Sequence, residues 1–234
     1  MDFVLVHGLG LNSNVWSRLK PILPGPVIEV DLPGHGKSNV YEYDWETVWE
    51  TVSEKVTEYK WGETVLVLHS FSGALLPEIH DSSVMPAKVI LLEAILHPAD
   101  AIWTTELNLL NTAQFELWLP RFRSVASMTL KSQLVTRHDA KDIALWSEGF
   151  RIVHGDALRA MATNLVRRVK SGAPLNALHS MKHQVVFVRG CRSRLSEIGL
   201  SRIQDQGVEV VEISDSSHFP MLDNPDDLVS AILQ

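Results

Sequence analysis

The feature that most limits how this chain can fold is a series of short apolar runs, rich in Val, Ile and Leu, separated by longer amphipathic stretches. The runs fall at residues 3–6, 27–30, 64–68, 88–92, 184–188 and 208–213. Val65-Leu66-Val67-Leu68 and Val89-Ile90-Leu91-Leu92 show no apolar–polar alternation. A strand with one wet face alternates with period two, so unbroken apolar strands read as covered on both faces. Strands of that kind, spaced by helices, make a parallel sheet with crossover helices. The expected class is α/β, with a doubly wound, mostly parallel sheet of about six strands.

Between the runs, residues 44–59 place Trp45, Val48, Trp49, Val52 and Val56 at helical spacing, with Asp44 as N-cap. Near the other end, Asn224 caps a helix, Pro225 takes its first position, and Asp226 and Asp227 meet the positive end of its dipole. One segment breaks the rhythm. Residues 97–178 offer no convincing strand but several amphipathic stretches, which contain Trp103, Trp118 and Trp146. We therefore read 1–96 and 179–234 as a sheet-bearing core and 97–178 as an inserted helical cap. The cap has more Lys and Arg than Asp and Glu, whereas the core is acidic. Docking of the two pieces and attraction of acidic ligands both fit that division.

Composition removes several classes of function. The chain has 234 residues, of which 45% are apolar and 21% charged, an ordinary globular balance with enough length to bury a core. Its 21 Lys and Arg against 28 Asp and Glu lack the basic excess that a phosphate backbone demands, so no nucleic-acid partner is expected. Cys191 is the single cysteine and cannot form an internal disulfide, which makes the reducing cytoplasm the expected compartment. The apolar run at residues 3–6 has no basic segment before it and is too short for a signal peptide, and no membrane span is expected.

The strongest chemical signal is Leu66-Val67-Leu68-His69-Ser70-Phe71-Ser72-Gly73, a strand that runs straight into Ser and small residues and then into a helical pattern. A sharp strand-to-helix turn lifts a serine oxygen toward solvent and aims the next amide at a developing oxyanion. Ser70 is the candidate nucleophile, although the G-x-S-x-G pattern of such turns would place Gly at Leu68 and Ser72. Three more segments end strands: His7-Gly8-Leu9-Gly10, Asp31-Leu32-Pro33-Gly34-His35-Gly36-Lys37-Ser38, and Ser217-His218-Phe219-Pro220-Met221-Leu222. They put Gly-rich turns and an imidazole at the carboxyl edge of the sheet, where ligands bind in open α/β folds.

Taken in order, these motifs resemble the α/β-hydrolase superfamily over nearly the whole chain outside the cap. The resemblance implies that this chain begins at the family's third strand, lacks the first two, and has its own second strand at one edge. It implies a nucleophile–base–acid triad with Ser70 and His218 in the first two roles, and an oxyanion hole built from the backbone N–H groups of Leu9 and Phe71. Most members carry the acid as an Asp in the turn after the penultimate strand, where this chain has Ser193. Serine cannot hold an imidazolium by charge, and Ser193→Ala is expected to change little. Glu93 ends the strand after the nucleophile helix, and Glu93-Ala94-Ile95-Leu96-His97-Pro98 is similar to a run in haloalkane dehalogenases that place the acid there. Those enzymes use Asp as nucleophile followed by Trp, where this chain has Ser70 and Phe71, so only the location of the acid carries over. Asp215, three residues before His218, is the rival acid.

The function expected is cofactor-independent hydrolysis of a small ester through an acyl-enzyme, with thioester, lactone or carbon–carbon cleavage open to the same constellation. A ligand-sensing protein on this fold is the alternative, because His69-Ser70-Phe71-Ser72 is similar to the run in bacterial stress regulators and plant hormone receptors. An inactive member is the third reading. Plainer roles are expected for His69, packed in the core, and for His35, bonded within its loop. His179 and His183 are expected at the surface, with no metal-ligand spacing among the histidines. Gly8 and Gly10 do not extend to a G-x-G-x-x-G fingerprint, because Ser13 stands where the third Gly would be.

Overall fold

The computed structural model describes residues 1–55, 61–83 and 85–234. Six parallel strands form one sheet: β1 (Asp2–Val6), β2 (Val27–Val30), β3 (Thr64–His69), β4 (Lys88–Leu92), β5 (Val185–Gly190) and β6 (Glu209–Ile213). Their order is β2-β1-β3-β4-β5-β6, so the α/β class expected from the sequence is found, with β2 at an edge. Every residue of β3 is buried, as its unbroken apolar sequence requires. At the far edge, β6 leaves Glu209 and Glu212 exposed. β2 and β4 coincide with the apolar runs at 27–30 and 88–92, and the other four strands differ from theirs by one or two residues at an end, because backbone pairing, not side-chain apolarity, ends a strand. Register pairs Val6 with Leu68, Leu68 with Leu91, and Leu91 with Phe187, which brings the carboxyl ends of four strands level.

Helices fill the crossovers. α1 (Trp45–Glu54) starts where the Asp44 carboxylate accepts the Thr47 N–H at 2.9 Å. The sequence pattern runs on to Tyr59, but residues 56–60, Val56 among them, lie outside the described residues. After β3 comes a 3-10 segment, Ser70–Leu75, and then α2 (Leu76–Asp81). Between β4 and β5 every regular element is a helix: after a short 3-10 turn at Pro98–Asp100 come α3 (Ile102–Leu109), α4 (Thr112–Ser124), α5 (Ala126–Lys131), α6 (Ala140–Trp146), α7 (Glu148–Ile152), α8 (Gly155–Ser171) and α9 (Ala173–Met181). Of these, α3 packs on α8, whereas α9 packs on α2. The last elements are α10 (Glu197–Gln204), α11 (Pro220–Asp223) and α12 (Pro225–Leu233), the last capped by Asn224 on the Asp227 N–H at 3.3 Å.

A few contacts hold the helical segment to the sheet-bearing part. Trp146 is buried and donates its indole N–H to Ser17 Oγ at 2.8 Å. Arg168 of α8 makes a two-pronged pair with Glu78 of α2 at 2.8 and 2.5 Å, and its guanidinium lies 4.5 Å from the Trp45 ring centre on α1. Trp118 stacks on Phe122 at 4.7 Å within α4. Among the described residues, no helix is long and apolar enough to cross a membrane.

One close approach lies behind the turn after β3, where a Cβ at Gly73 would stand 2.4 Å from Ala94 Cβ. Gly73→Ala is therefore expected to destabilise the fold by about 1–3 kcal/mol, because β3 and β4 cannot separate to admit a methyl group. A lower urea midpoint with an unchanged denaturant slope would register it.

Candidate active site

At the end of β3 the chain turns so sharply that Ser70 takes φ +55°, a left-handed conformation rare for a residue with a Cβ. Such a turn tolerates only small neighbours. A Cβ at Gly8 would lie 3.0 Å from Ser70 Cβ, and Gly73 is pressed against Ala94. The two departures from the Gly pattern have local explanations. Leu68 is an interior residue of the fully buried strand, and the buried Ser72 shares its hydroxyl between the carbonyls of Val6, at 3.1 Å, and His69, at 2.9 Å.

The loop after β6 brings His218 over this turn, with Nε2 3.2 Å from Ser70 Oγ. Its other ring nitrogen, Nδ1, lies 3.4 Å from Glu93 Oε2. Glu93 follows β4 at φ +51° and has no solvent exposure. A buried carboxylate is costly unless donors surround it. Here Oε1 accepts the Gly190 N–H at 2.7 Å, and Oε2 accepts the Ser193 hydroxyl at 2.7 Å. Ser193, read from the sequence as dispensable, is thus bonded to the carboxylate; its position in the turn after β5 was the one available hint. Asp215 is elsewhere. It is exposed, sits at φ +46°, and faces Arg192 at 4.0 Å.

Three buried histidines shape the loops around these groups. His69 donates its Nε2–H to the carbonyl of His218 at 2.9 Å, which anchors the backbone of the histidine loop. His35 Nε2 accepts the Gly10 N–H at 2.9 Å while its Nδ1–H donates to the Pro33 carbonyl at 2.8 Å. His7 Nδ1–H donates to the Gly8 carbonyl at 2.8 Å, and its Nε2 accepts the Leu32 N–H at 3.1 Å. The Leu9 N–H, between these fixed points, has no acceptor among the described residues. The Phe71 N–H lies in the first turn of the 3-10 segment, where helical amides lack an internal partner. Asp223, which sequence reasoning missed, accepts from Ser217 N at 3.3 Å and from Val135 N at 2.9 Å, and so ties the His218 loop to the segment before α6. No motif signals it, because a lone Asp near a helix end is common.

Ser70 and His218 open into a cavity of about 410 Å³ whose walls include Leu9, Ile95, Trp103, Phe122, Phe150 and Phe219. That volume suits a small organic molecule. A larger cleft of about 650 Å³ near Asn12, Asp31, Lys37 and Glu148 holds neither Ser70 nor His218. His179 and His183 are at the surface, and among the described residues no three His, Cys, Asp or Glu side chains gather as a metal-holding group.

A family model for the alpha/beta hydrolase family matches residues 3–231. The chain belongs to that family. A probable serine hydrolase of Drosophila melanogaster is 34% identical over 80 residues, 31% of this chain and 24% of its own length. The chain thus matches about a quarter of that relative. Among solved structures, an esterase from Exiguobacterium antarcticum superposes with a TM-score of 0.79 at 17% identity, over 100% of this chain and 92% of its own. Cfl2 from Burkholderia cenocepacia gives a TM-score of 0.76 at 18% identity, over 99% and 86%. At those identities the two structures establish the fold alone.

Burial holds His7, His35 and His69 below the ordinary imidazole value of 6.5, His69 well below that value and His35 down to about 3. Unfolded, these rings take up protons near pH 6.5; folded, they do so only at lower pH. The unfolded chain therefore binds more protons in that window, so stability is complete above about pH 6.5 and falls as the solution is acidified toward 3. Each ring contributes a slope of up to ~1.4 kcal/mol per pH unit. His35→Gln is expected to lower stability at pH 7 and to flatten its decline between pH 7 and 5, measured as urea midpoints.

Proposed function

We propose that this chain is a serine hydrolase that cleaves a small carboxylic ester through an acyl-enzyme, with the segment 97–178 serving as a cap over the site. The observation that carries the reading is the line from Ser70 Oγ to His218 Nε2 at 3.2 Å and from His218 Nδ1 to the buried Glu93 at 3.4 Å, opening on a mostly apolar cavity that also holds Asp100, Glu106 and Arg194. In this reading His218 takes the Ser70 proton as Oγ bonds to the ester carbonyl carbon, and the oxyanion that forms is held by the N–H groups of Leu9 and Phe71. His218 then gives its proton to the departing alkoxide. Water attacks the acyl-enzyme, again losing a proton to His218, and the carboxylic acid leaves as that proton returns to Ser70. Glu93 fixes the imidazole's orientation and stabilises its charged form. Each oxyanion donor is worth about 3 kcal/mol of transition-state stabilisation. The aromatic and aliphatic walls favour an apolar acyl group. Thioesters, lactones and activated carbon–carbon bonds share this chemistry and are the substrates to compare once ester turnover is measured.

The test uses p-nitrophenyl acetate and butyrate. The unsubstituted protein is expected to release a burst of p-nitrophenol followed by steady turnover, Ser70→Ala neither, and Glu93→Gln roughly 10³–10⁴ less turnover. Covalent labelling without turnover would favour a sensing role, absence of any labelling by a fluorophosphonate an inactive fold, and undiminished turnover in Glu93→Gln would remove Glu93 from the mechanism.

A further inference from the structure

We infer that Ser193 is a positioning residue for Glu93, a role that rests on the reading of Glu93 as the acid. The position that in most relatives would supply a carboxylate here supplies a hydroxyl to a carboxylate arriving from the next strand. Three observations carry this. Glu93 Oε2, the oxygen that faces His218 Nδ1, lies nearer to Ser193 Oγ, at 2.7 Å, than to the imidazole, at 3.4 Å. The direction of that bond is set by its surroundings, because Ser193 Oγ accepts the Leu195 N–H at 3.2 Å and a carboxylate only accepts, which leaves the hydroxyl proton for Glu93. The partner oxygen is separately held by the Gly190 N–H, so one oxygen is pinned by backbone and the other by Ser193.

A carboxylate held at one oxygen swings about that bond. Held at both, it presents Oε2 to His218 in a fixed plane, and the fixed approach is what an acid of this kind contributes to catalysis. At 3.4 Å the imidazole contact is longer than an ordinary hydrogen bond, so it cannot by itself set the carboxylate's orientation. Charge-assisted bonds from a hydroxyl are among the stronger ones a protein makes. Ser193 does not line the cavity, although its neighbour Arg194 does, so a loss in kcat without a change in KM is what distinguishes an effect through Glu93 and His218 from one through the turn that carries Arg194.

The experiment is a double-mutant cycle between Ser193→Ala and Glu93→Gln, with kcat and KM on p-nitrophenyl butyrate and the second-order rate of phosphonylation of Ser70 by a fluorophosphonate, which stays readable in slow variants. Ser193→Ala is expected to lower kcat and the phosphonylation rate roughly 10-fold with KM changed less than about twofold, and Ser193→Thr, which keeps the hydroxyl, to restore most of the loss. In the Glu93→Gln background, Ser193→Ala is expected to change the phosphonylation rate less than about twofold, because the charge it orients is gone. Full activity in Ser193→Ala, or the same loss in both backgrounds, would overturn the proposal while leaving Glu93 as the acid. A Glu93→Gln variant as active as the unsubstituted protein would instead end the parent reading, and the two failures are told apart by that single variant. Melting curves separate these outcomes from a folding defect: Ser193→Ala, which takes a donor from a buried carboxylate, is expected to melt below the unsubstituted chain and Ser193→Thr near it, and both are assayed well below their midpoints, where the chain is folded.

Discussion

A carboxylate without solvent exposure stands at the middle of the sheet's carboxyl edge, and the loops that follow three strands are arranged around it. Glu93 belongs to β4 by sequence, but its bonds run to the turn after β5, through Gly190 and Ser193, and its free side faces the imidazole carried beyond β6. Removing such a group from water is costly, and the cost is offset only when every lone pair finds a donor. That requirement holds the β5 turn against the end of β4 and leaves the β6 loop little freedom in where it places His218.

Backbone strain is concentrated at the same edge. Ser70 and Glu93, at the ends of neighbouring strands β3 and β4, both adopt positive φ without being glycine, and the Ile95 N–H bonds to the Ser70 carbonyl at 3.1 Å, so the two turns brace each other. Each costs of order 1–3 kcal/mol and persists only where its surroundings over-determine it. Here the surroundings are the Gly73–Ala94 contact on one side and Gly8 on the other. A side chain larger than hydrogen at Gly73 would push apart the two turns that aim the serine and the carboxylate.

The buried histidines are a second layer beneath the site. His7 and His35 bond the amides and carbonyls of the two Gly-rich loops, and His69 bonds the backbone of His218. Each is neutral because burial disfavours its charge, and a neutral imidazole offers one donor and one acceptor. His7 and His35 use both, which lets each connect two stretches of backbone that make no direct bond to one another.

Much of this was legible in the chain itself. Unbroken apolar runs such as Val65-Leu66-Val67-Leu68 determine strands covered on both faces, Asp44 and Asn224 mark helix starts by local chemistry, and Ser70 and His218 announce themselves because the first directly follows a strand and the second lies in the loop after the last one. These signals depend on residues close in sequence, where spacing alone carries the physics. The resemblance pointed to Glu93 ahead of Asp215, but seeing Glu93 and not Asp215 beside His218 Nδ1, recognising that Ser193 donates to Glu93, and linking Asp223 to Val135 required the folded chain. Glu93 and Ser193 are 100 positions apart, and they meet only because β4 and β5 pair in a register set by the whole sheet. Pairing between distant segments follows from the combined packing of every element, which no local pattern encodes.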